Sequence, residues 1–367
     1  MRLWHSRCIG LAAIALAITL MRRLAQLRRG AAPVTRSALV TPYRCPAPPA
    51  LHSRIEKVKP GRLIIVGDLH GTLELFQLLE KLRYDSALDN LLLAGDLVNK
   101  GPASLAVLDA VPKLGCWAVR GNHDDAVLAA WLQFRSGQAL NPKFEWARGM
   151  TDEQAAVLLG LPFTVSVPEY GIAVVHAGFV PGVPIEQQDM WAMYEMRNVV
   201  PLDAGQGQDA GKGQGQDAGQ GQGRSQGGDG PALRYHPVEK AKDGGEAWGA
   251  LWRGPPHVFF GHDARRRLQL HPHATGLDTG CVYGGSLTAA VMPPLAELRV
   301  RSPGFVSKMA SGEALLREDL LAQIVSVEAA EVYSPPTGST AAAAAAATTA
   351  VAAAVEAPGE PVGVRVE

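Results

Sequence analysis

Three short segments of this 367-residue chain share one plan, and no other feature of it restricts the possible folds so strongly. In each, an apolar, strand-like run stops abruptly at polar residues and a helix-like segment follows. Arg62 to Val66 runs into Gly67-Asp68-Leu69-His70-Gly71, and Leu91 to Ala94 into Gly95-Asp96-Leu97-Val98-Asn99-Lys100-Gly101-Pro102. Trp117 to Arg120 runs into Gly121-Asn122-His123-Asp124. The polar ends recur every 26 to 28 residues, the length of a strand, a helix and two turns. Such βαβ units lay successive strands parallel through right-handed crossovers and gather their carboxyl ends along one sheet edge. Ligands bind open α/β sheets at that edge. The spacing therefore predicts that Asp68, His70, Asp96, Asn122 and His123 converge.

These residue types suit a metal centre. Asp68 and His70 are two positions apart, so in an extended segment they project to the same side and can chelate one cation. Asp96 offers a carboxylate with two oxygens, suited to bridging a pair of metals, and Asn122 a neutral oxygen. His176 closes the apolar run Ile172-Ala173-Val174-Val175, and His262 follows His257-Val258-Phe259-Phe260-Gly261; both can complete the coordination of the second metal. Two divalent cations balanced by two carboxylates and a hydroxide leave such a site slightly positive, so it attracts a phosphoryl group. Mixed nitrogen and oxygen donors fit Mn, Fe, Zn or Co better than calcium. Alone, a Gly-Asp-x-His-Gly turn reads as a helix cap and a strand-end histidine as a packed one; their conjunction in order overturns that reading.

The rest of the chain is less specific. Residues 1 to 55 hold nine arginines and no acid, which leaves 26 basic against 35 acidic residues elsewhere, a net of −9. That body lacks the broad basic footprint of a protein that grips nucleic acid by its phosphates. The uncharged run 8–21 is too short for an ordinary transmembrane helix, which needs roughly 20 apolar residues. It reads as a secretory signal or short anchor, which would associate with membrane, or as an organellar transit peptide, so a non-cytosolic location is expected. A Pro-rich linker follows, with the folded domain expected over 61–302. Residues 204–230, almost wholly Gly, Gln, Asp and Ala, read as a disordered insertion inside it, and residues 303–367 as a variable, Ala-rich tail. Four scattered cysteines give neither a disulfide framework nor a zinc ribbon, and Cys281 reads as packed.

The ordered set GDLHG, GDLVNKGP, GNHD, a strand ending in His-Ala-Gly, and a later Gly-His resembles the calcineurin-like metallophosphoesterases, in their phosphoprotein-phosphatase branch. Asn99-Lys100, the stretch 184–198 and "LDTGCVYGGSLT" at 277–288 resemble the ApaH-like phosphatases, relatives of bacterial diadenosine tetraphosphatase. The resemblance implies an α/β sandwich of two mixed β-sheets flanked by helices, and two divalent metal ions. Asp68, His70 and Asp96 would hold one ion, and Asp96, Asn122, His176 and His262 the other. His123 would be the acid that protonates the leaving oxygen. Lys100, Arg197, Arg253 and Arg265 are the candidates for substrate phosphate.

The implied activity is hydrolysis of phosphoanhydride or phosphomonoester bonds by a metal-bound hydroxide, with a dinucleoside polyphosphate, polyphosphate or a 5′-capped RNA end as substrate. Serine/threonine protein phosphatases carry Asp and Arg where Asn99 and Lys100 stand, which weakens a phosphoprotein-phosphatase reading. A non-catalytic phosphate-binding module is a third reading, against which the complete ligand set argues.

Overall fold

The computed structural model describes residues 39–202, 235–240 and 245–335. The apolar run 8–21, the insertion 204–230 and the Ala-rich stretch 340–355 lie outside the described residues. No described helix is long and apolar enough to cross a membrane.

Among the described residues, fourteen strands occur in chain order: β1 His52–Arg54, β2 Leu63–Val66, β3 Asn90–Leu93, β4 Trp117–Ala118, β5 Thr164–Val167, β6 Ile172–Val175, β7 Asn198–Pro201, β8 Tyr235–Val238, β9 Glu246–Ala247, β10 His257–Phe260, β11 Gln269–Leu270, β12 Ala274–Gly276, β13 Ser286–Met292 and β14 Gln323–Glu328. They form a five-stranded sheet in the order β14-β13-β2-β3-β4 and a six-stranded sheet in the order β1-β5-β6-β10-β12-β11. Both are mixed. In the first, β2, β3 and β4 run parallel, as the motif spacing predicts, with Val66 opposite Leu93. In the second, β6, β10 and β12 run parallel, with Phe259 opposite Val174 and Phe260 opposite Gly276. A small third sheet, β8-β7-β9, is antiparallel.

Strand alternation explains the layering. Leu63 and Ile65 of β2 join Val165, Val174, Phe259 and Met292 in a core shared by the two large sheets. Ile64 and Val66, on the other face, join Leu75 and Leu78 of helix Glu74–Lys81 and Val107 of helix Ser104–Leu114. Every side chain of β2 is buried, as in a strand covered on both faces. Across the second sheet, Val175, Val258 and Phe260 pack on Trp248 and Met193. The result is a helix–sheet–sheet–helix sandwich.

Two boundaries expected from sequence are corrected. The folded region does not end at 302, because β14 pairs along β13 from Ser286↔Glu328 to Val291↔Gln323. Nor does it begin at 61, since β1 pairs in parallel with β5, and Thr41 and Cys45 are buried. Short segments interrupted by Pro and Gly hid both additions.

Candidate active site

Six neighbouring strands deliver the site. Asp68 and His70 follow β2, Asp96 follows β3, Asn122 and His123 follow β4, His176 follows β6, His262 follows β10, and Asp278 follows β12. Backbone bonds lace these loops together: the His70 and Gly71 N–H groups donate to the carbonyls of Asp96 and Leu97, and Gly261 N–H donates to that of His176. Asp124 ties the third loop to the second by accepting from Leu97, Val98 and Gly121 N–H. It also gives the helix Asn122–Arg135 an acidic first turn.

The backbone is strained at this edge. His70, Asp96, Asn99, Lys100 and His262 all have positive φ, five of nine such non-glycine residues among those described. Each costs on the order of 1–3 kcal/mol, which persists only where the surrounding structure enforces it. Close approach is enforced too: a Cβ on Gly121 would overlap Oδ1 of Asp96, and one on Gly261 would overlap Oδ1 of Asp68.

Asp68, His70 and Asp96 each offer a donor atom within 4.8 Å of the others, and all three are buried. His70 Nε2 lies 3.5 Å from Asp96 Oδ2. On the other side of Asp96, His176 Nε2 lies 3.4 Å from Oδ1 and 3.1 Å from Oδ1 of Asn122. His176 Nδ1 sits 2.9 Å from the Ala94 carbonyl, so it carries the proton and Nε2 presents a lone pair. Three electron-pair donors thus face one another at hydrogen-bond distance, an arrangement that suits a cation between them. The His262 ring stands 5.0 Å from that of His176. Its Nε2 donates to Glu195 O at 3.0 Å, leaving Nδ1 as its lone-pair nitrogen.

Charge points the same way. Burial, then the charges of Asp278 and Asp96, pushes the Asp68 carboxyl well above its ordinary pKa. Burial also opposes ionisation of Asp96, but His176, His123 and His70 outweigh it and hold that carboxyl below its usual range. Burial and the Lys100 ammonium, 3.0 Å from Nε2, drive His70 well below its ordinary value and keep the ring neutral, as a metal ligand must be. Three buried carboxyl groups around one lysine call for more positive charge, so this donor set fits divalent cations.

The remaining predicted residues are distributed around that cluster. His123 lies with its ring 4.9 Å from that of His70, its Nδ1 2.8 Å from the Asn99 amide nitrogen, and its backbone N–H on Asp96 Oδ1. Burial lowers its pKa to about 4. Lys100, Arg197 and Arg265 line a cleft of about 620 Å³ over that cluster. Arg197 donates to Glu239 and to the His262 carbonyl. Arg253 is not brought there: its guanidinium caps the carbonyls of Ala250 and Trp252. Cys281 is packed, with burial raising its thiol to about 12.

Sequence reasoning missed Asp278, Glu195, Arg266 and Arg267, which also line the cleft. Asp278 follows the short strand β12, Ala-Thr-Gly, which lacks the apolar run that precedes Asp68. The arginines had only adjacency to His262.

A sandwich whose strand ends assemble Asp, His and Asn donors on both sides of one buried carboxylate has the architecture of a metal-dependent phosphoesterase. Residues 61–266 match the family model of the calcineurin-like phosphoesterases, and the chain belongs to that family. It is 31% identical over 252 residues to a symmetrical bis(5′-nucleosyl)-tetraphosphatase of Chromohalobacter salexigens, covering 61% of this chain and 92% of that protein. It is 27% identical over 244 residues to serine/threonine-protein phosphatase 1 of Salmonella typhimurium, covering 66% and 97%. A solved structure assigned as a diadenosine tetraphosphatase superposes with a TM-score of 0.56 at 31% identity, covering 76% of this chain and 98% of that one. The chain is a metal-dependent hydrolase acting on phosphate ester or anhydride bonds.

Proposed function

We propose that the chain hydrolyses the phosphoanhydride chain of a dinucleoside polyphosphate, with Asp68, His70 and Asp96 holding one divalent ion and Asp96, Asn122, His176 and His262 the other. The relatives named as tetraphosphatases support the substrate class, and the contact between Asn99 and His123 carries the choice of bond. When bound, the ions supply Lewis acidity and lower the pKa of a water.

The chain's own residues do the rest. The Asn99 amide donates to Nδ1 of His123, so the imidazole proton resides on Nε2 and the ring is neutral. A neutral Nε2–H hydrogen-bonds a departing oxygen but is a weak acid, which suffices for a good leaving group such as a nucleoside diphosphate. It suits an alkoxide poorly. As water adds to phosphorus and the bridging P–O bond breaks, the negative charge leaves on phosphate oxygens near Lys100. Arg197 and Arg265, along the cleft, orient the phosphates that do not react.

The test is a comparison of kcat/KM on diadenosine tetraphosphate, tripolyphosphate, a cap analogue and a phosphoserine peptide with Mn, Zn or Co. An anhydride should exceed the phosphopeptide by at least about tenfold, roughly 1.4 kcal/mol of transition-state preference. A preference for the phosphopeptide would replace this reading with the protein-phosphatase one.

A further inference from the structure

A second cleft of about 660 Å³ opens beside the proposed metal ligands and shares Lys100, Asn122, His123, Glu195 and Glu239 with the first. Its walls differ in kind. The first cleft carries Arg197, Arg265, Arg266, Arg267 and Lys240, whereas the second carries Tyr43, Phe144, Trp146 and Trp191. The second cleft's two lysines, Lys100 and Lys143, are equal in number to its two glutamates, Glu195 and Glu239, so its lining has no excess positive charge with which to hold a phosphate chain.

Folded proteins ordinarily bury large aromatics against one another, yet Trp146 and Trp191 keep part of their surface exposed here. Trp191 stands in the first turn of the short helix Met190–Glu195, which anchors Ala192, Met193 and Tyr194 in the core, so its position is fixed. Tyr43 is held by its hydroxyl, which donates to Glu195 at 2.8 Å. Phe144 is buried with the Lys143 ammonium 4.7 Å from its ring centroid, and the indole N–H of Trp146 is buried without an acceptor. Aromatic faces held in place, with Trp146 and Trp191 partly exposed, are what a planar heterocycle requires: π-surface to stack on. The volume falls within the roughly 300–1,000 Å³ of ligand sites.

We propose that this aromatic cleft seats the nucleobase of the leaving nucleotide, while the rest of the phosphate chain runs into the arginine-lined cleft. The proposal rests on the anhydride reading above for the identity of the leaving group. His123 faces both clefts, so a group departing at His123 has its remote end in one of them, and the aromatic walls select a base over further phosphates. The enzyme thereby distinguishes a nucleoside-capped polyphosphate from the inorganic chain.

The experiment uses the full chain with Mn²⁺ and the variants Trp191→Ala and Trp191→Phe. Trp191→Ala should lower the ratio of kcat/KM on diadenosine tetraphosphate to kcat/KM on tripolyphosphate by about tenfold, the size of one lost base stack. Trp191→Phe should restore most of it. Calorimetric titration with adenosine monophosphate needs no turnover: it should bind the wild type more tightly than inorganic phosphate does, and the margin should shrink about tenfold in Trp191→Ala. An unchanged ratio, or adenosine monophosphate binding no better than phosphate, overturns the proposal. So does a variant that loses activity on a phosphotyrosine peptide but not on the dinucleotide, which would make the cleft a peptide site. If the wild type cleaves neither anhydride, the anhydride reading falls by itself, and the titration alone decides whether the cleft takes a base.

Discussion

Asn99 places its amide nitrogen 2.8 Å from Nδ1 of His123, where a carboxylate would instead accept a proton from that nitrogen. The amide fixes one neutral tautomer, whereas a carboxylate stabilises the doubly protonated imidazolium. Asn99→Asp should therefore raise kcat/KM on phosphoserine peptides, whose alkoxide needs a proton, and narrow the anhydride-to-monoester gap by at least about tenfold, roughly 1.4 kcal/mol. Adding Lys100→Arg should narrow it further by offering a planar fork to phosphate. Steady-state kinetics on both substrate types reads the result; an unchanged ratio would show that His123 does not protonate the leaving oxygen.

Asp96 stands between the two donor groups, with Oδ2 near His70 and Oδ1 near His176. Replacing it by Asn removes one formal charge and one donor oxygen from a set already assembled by strained backbone. Asp96→Asn should lose both metal content and hydrolysis, by at least about a hundredfold in rate, beyond the roughly 10–100-fold that changes in residues merely supporting a ligand cost. Elemental analysis alongside the assay checks the pair, and a metal-replete, fully active variant would sink the bridging role.

Arg120 is wholly buried and holds three parts of the chain at once. It donates to Asp125 at 3.0 Å, to the Pro46 carbonyl at 3.2 Å and to the Leu159 carbonyl at 2.8 Å. Arg120→Met would leave Asp125 buried and unpaired, which costs about 3–5 kcal/mol. Adding Asp125→Asn should recover part of that loss by removing the stranded charge. Urea denaturation of the two variants measures both effects.

The parallel triplet β2-β3-β4 and the donors Asp68, His70, Asp96, Asn122 and His123 were legible because each strand stops at a short polar motif and the spacing leaves room for one helix. The second triplet, β6-β10-β12, was legible only at its histidines, since 81 residues separate Val175 from His257 and no periodic spacing links them. The Asp278 carboxyl went unread for a related reason: it meets Asp68 only after the two sheets pack face to face. β14 was invisible because its pairing with β13 spans a gap filled by two short helices, Leu295–Arg301 and Pro303–Ser311. The aromatic cleft draws on Tyr43, Trp146 and Trp191, which come from three distant segments and have no common pattern along the chain.

The Gly- and Gln-rich insertion leaves the fold and returns to it at adjacent points. Pro201 of β7 lies opposite Tyr235 of β8, in a ladder that continues to Asn198 opposite Val238. The hairpin is further held by β9, and by Arg266, which donates to Asn198 Oδ1. Removing 204–230 would leave six residues, 202, 203 and 231–234, enough to close a hairpin of this kind. Shortening the connection reduces its closure entropy only logarithmically, so the deletion should stabilise the protein by no more than about 1–2 kcal/mol. Thermal denaturation should show a midpoint equal to or slightly above that of the full chain. Turnover is the stricter readout, because Glu239 and Lys240, immediately after β8, line the arginine cleft and would shift with any slip in register. Unchanged kcat/KM on diadenosine tetraphosphate would show that the ladder alone sets that wall of the cleft. A fall of tenfold with an unchanged midpoint would instead assign the insertion a part in holding substrate.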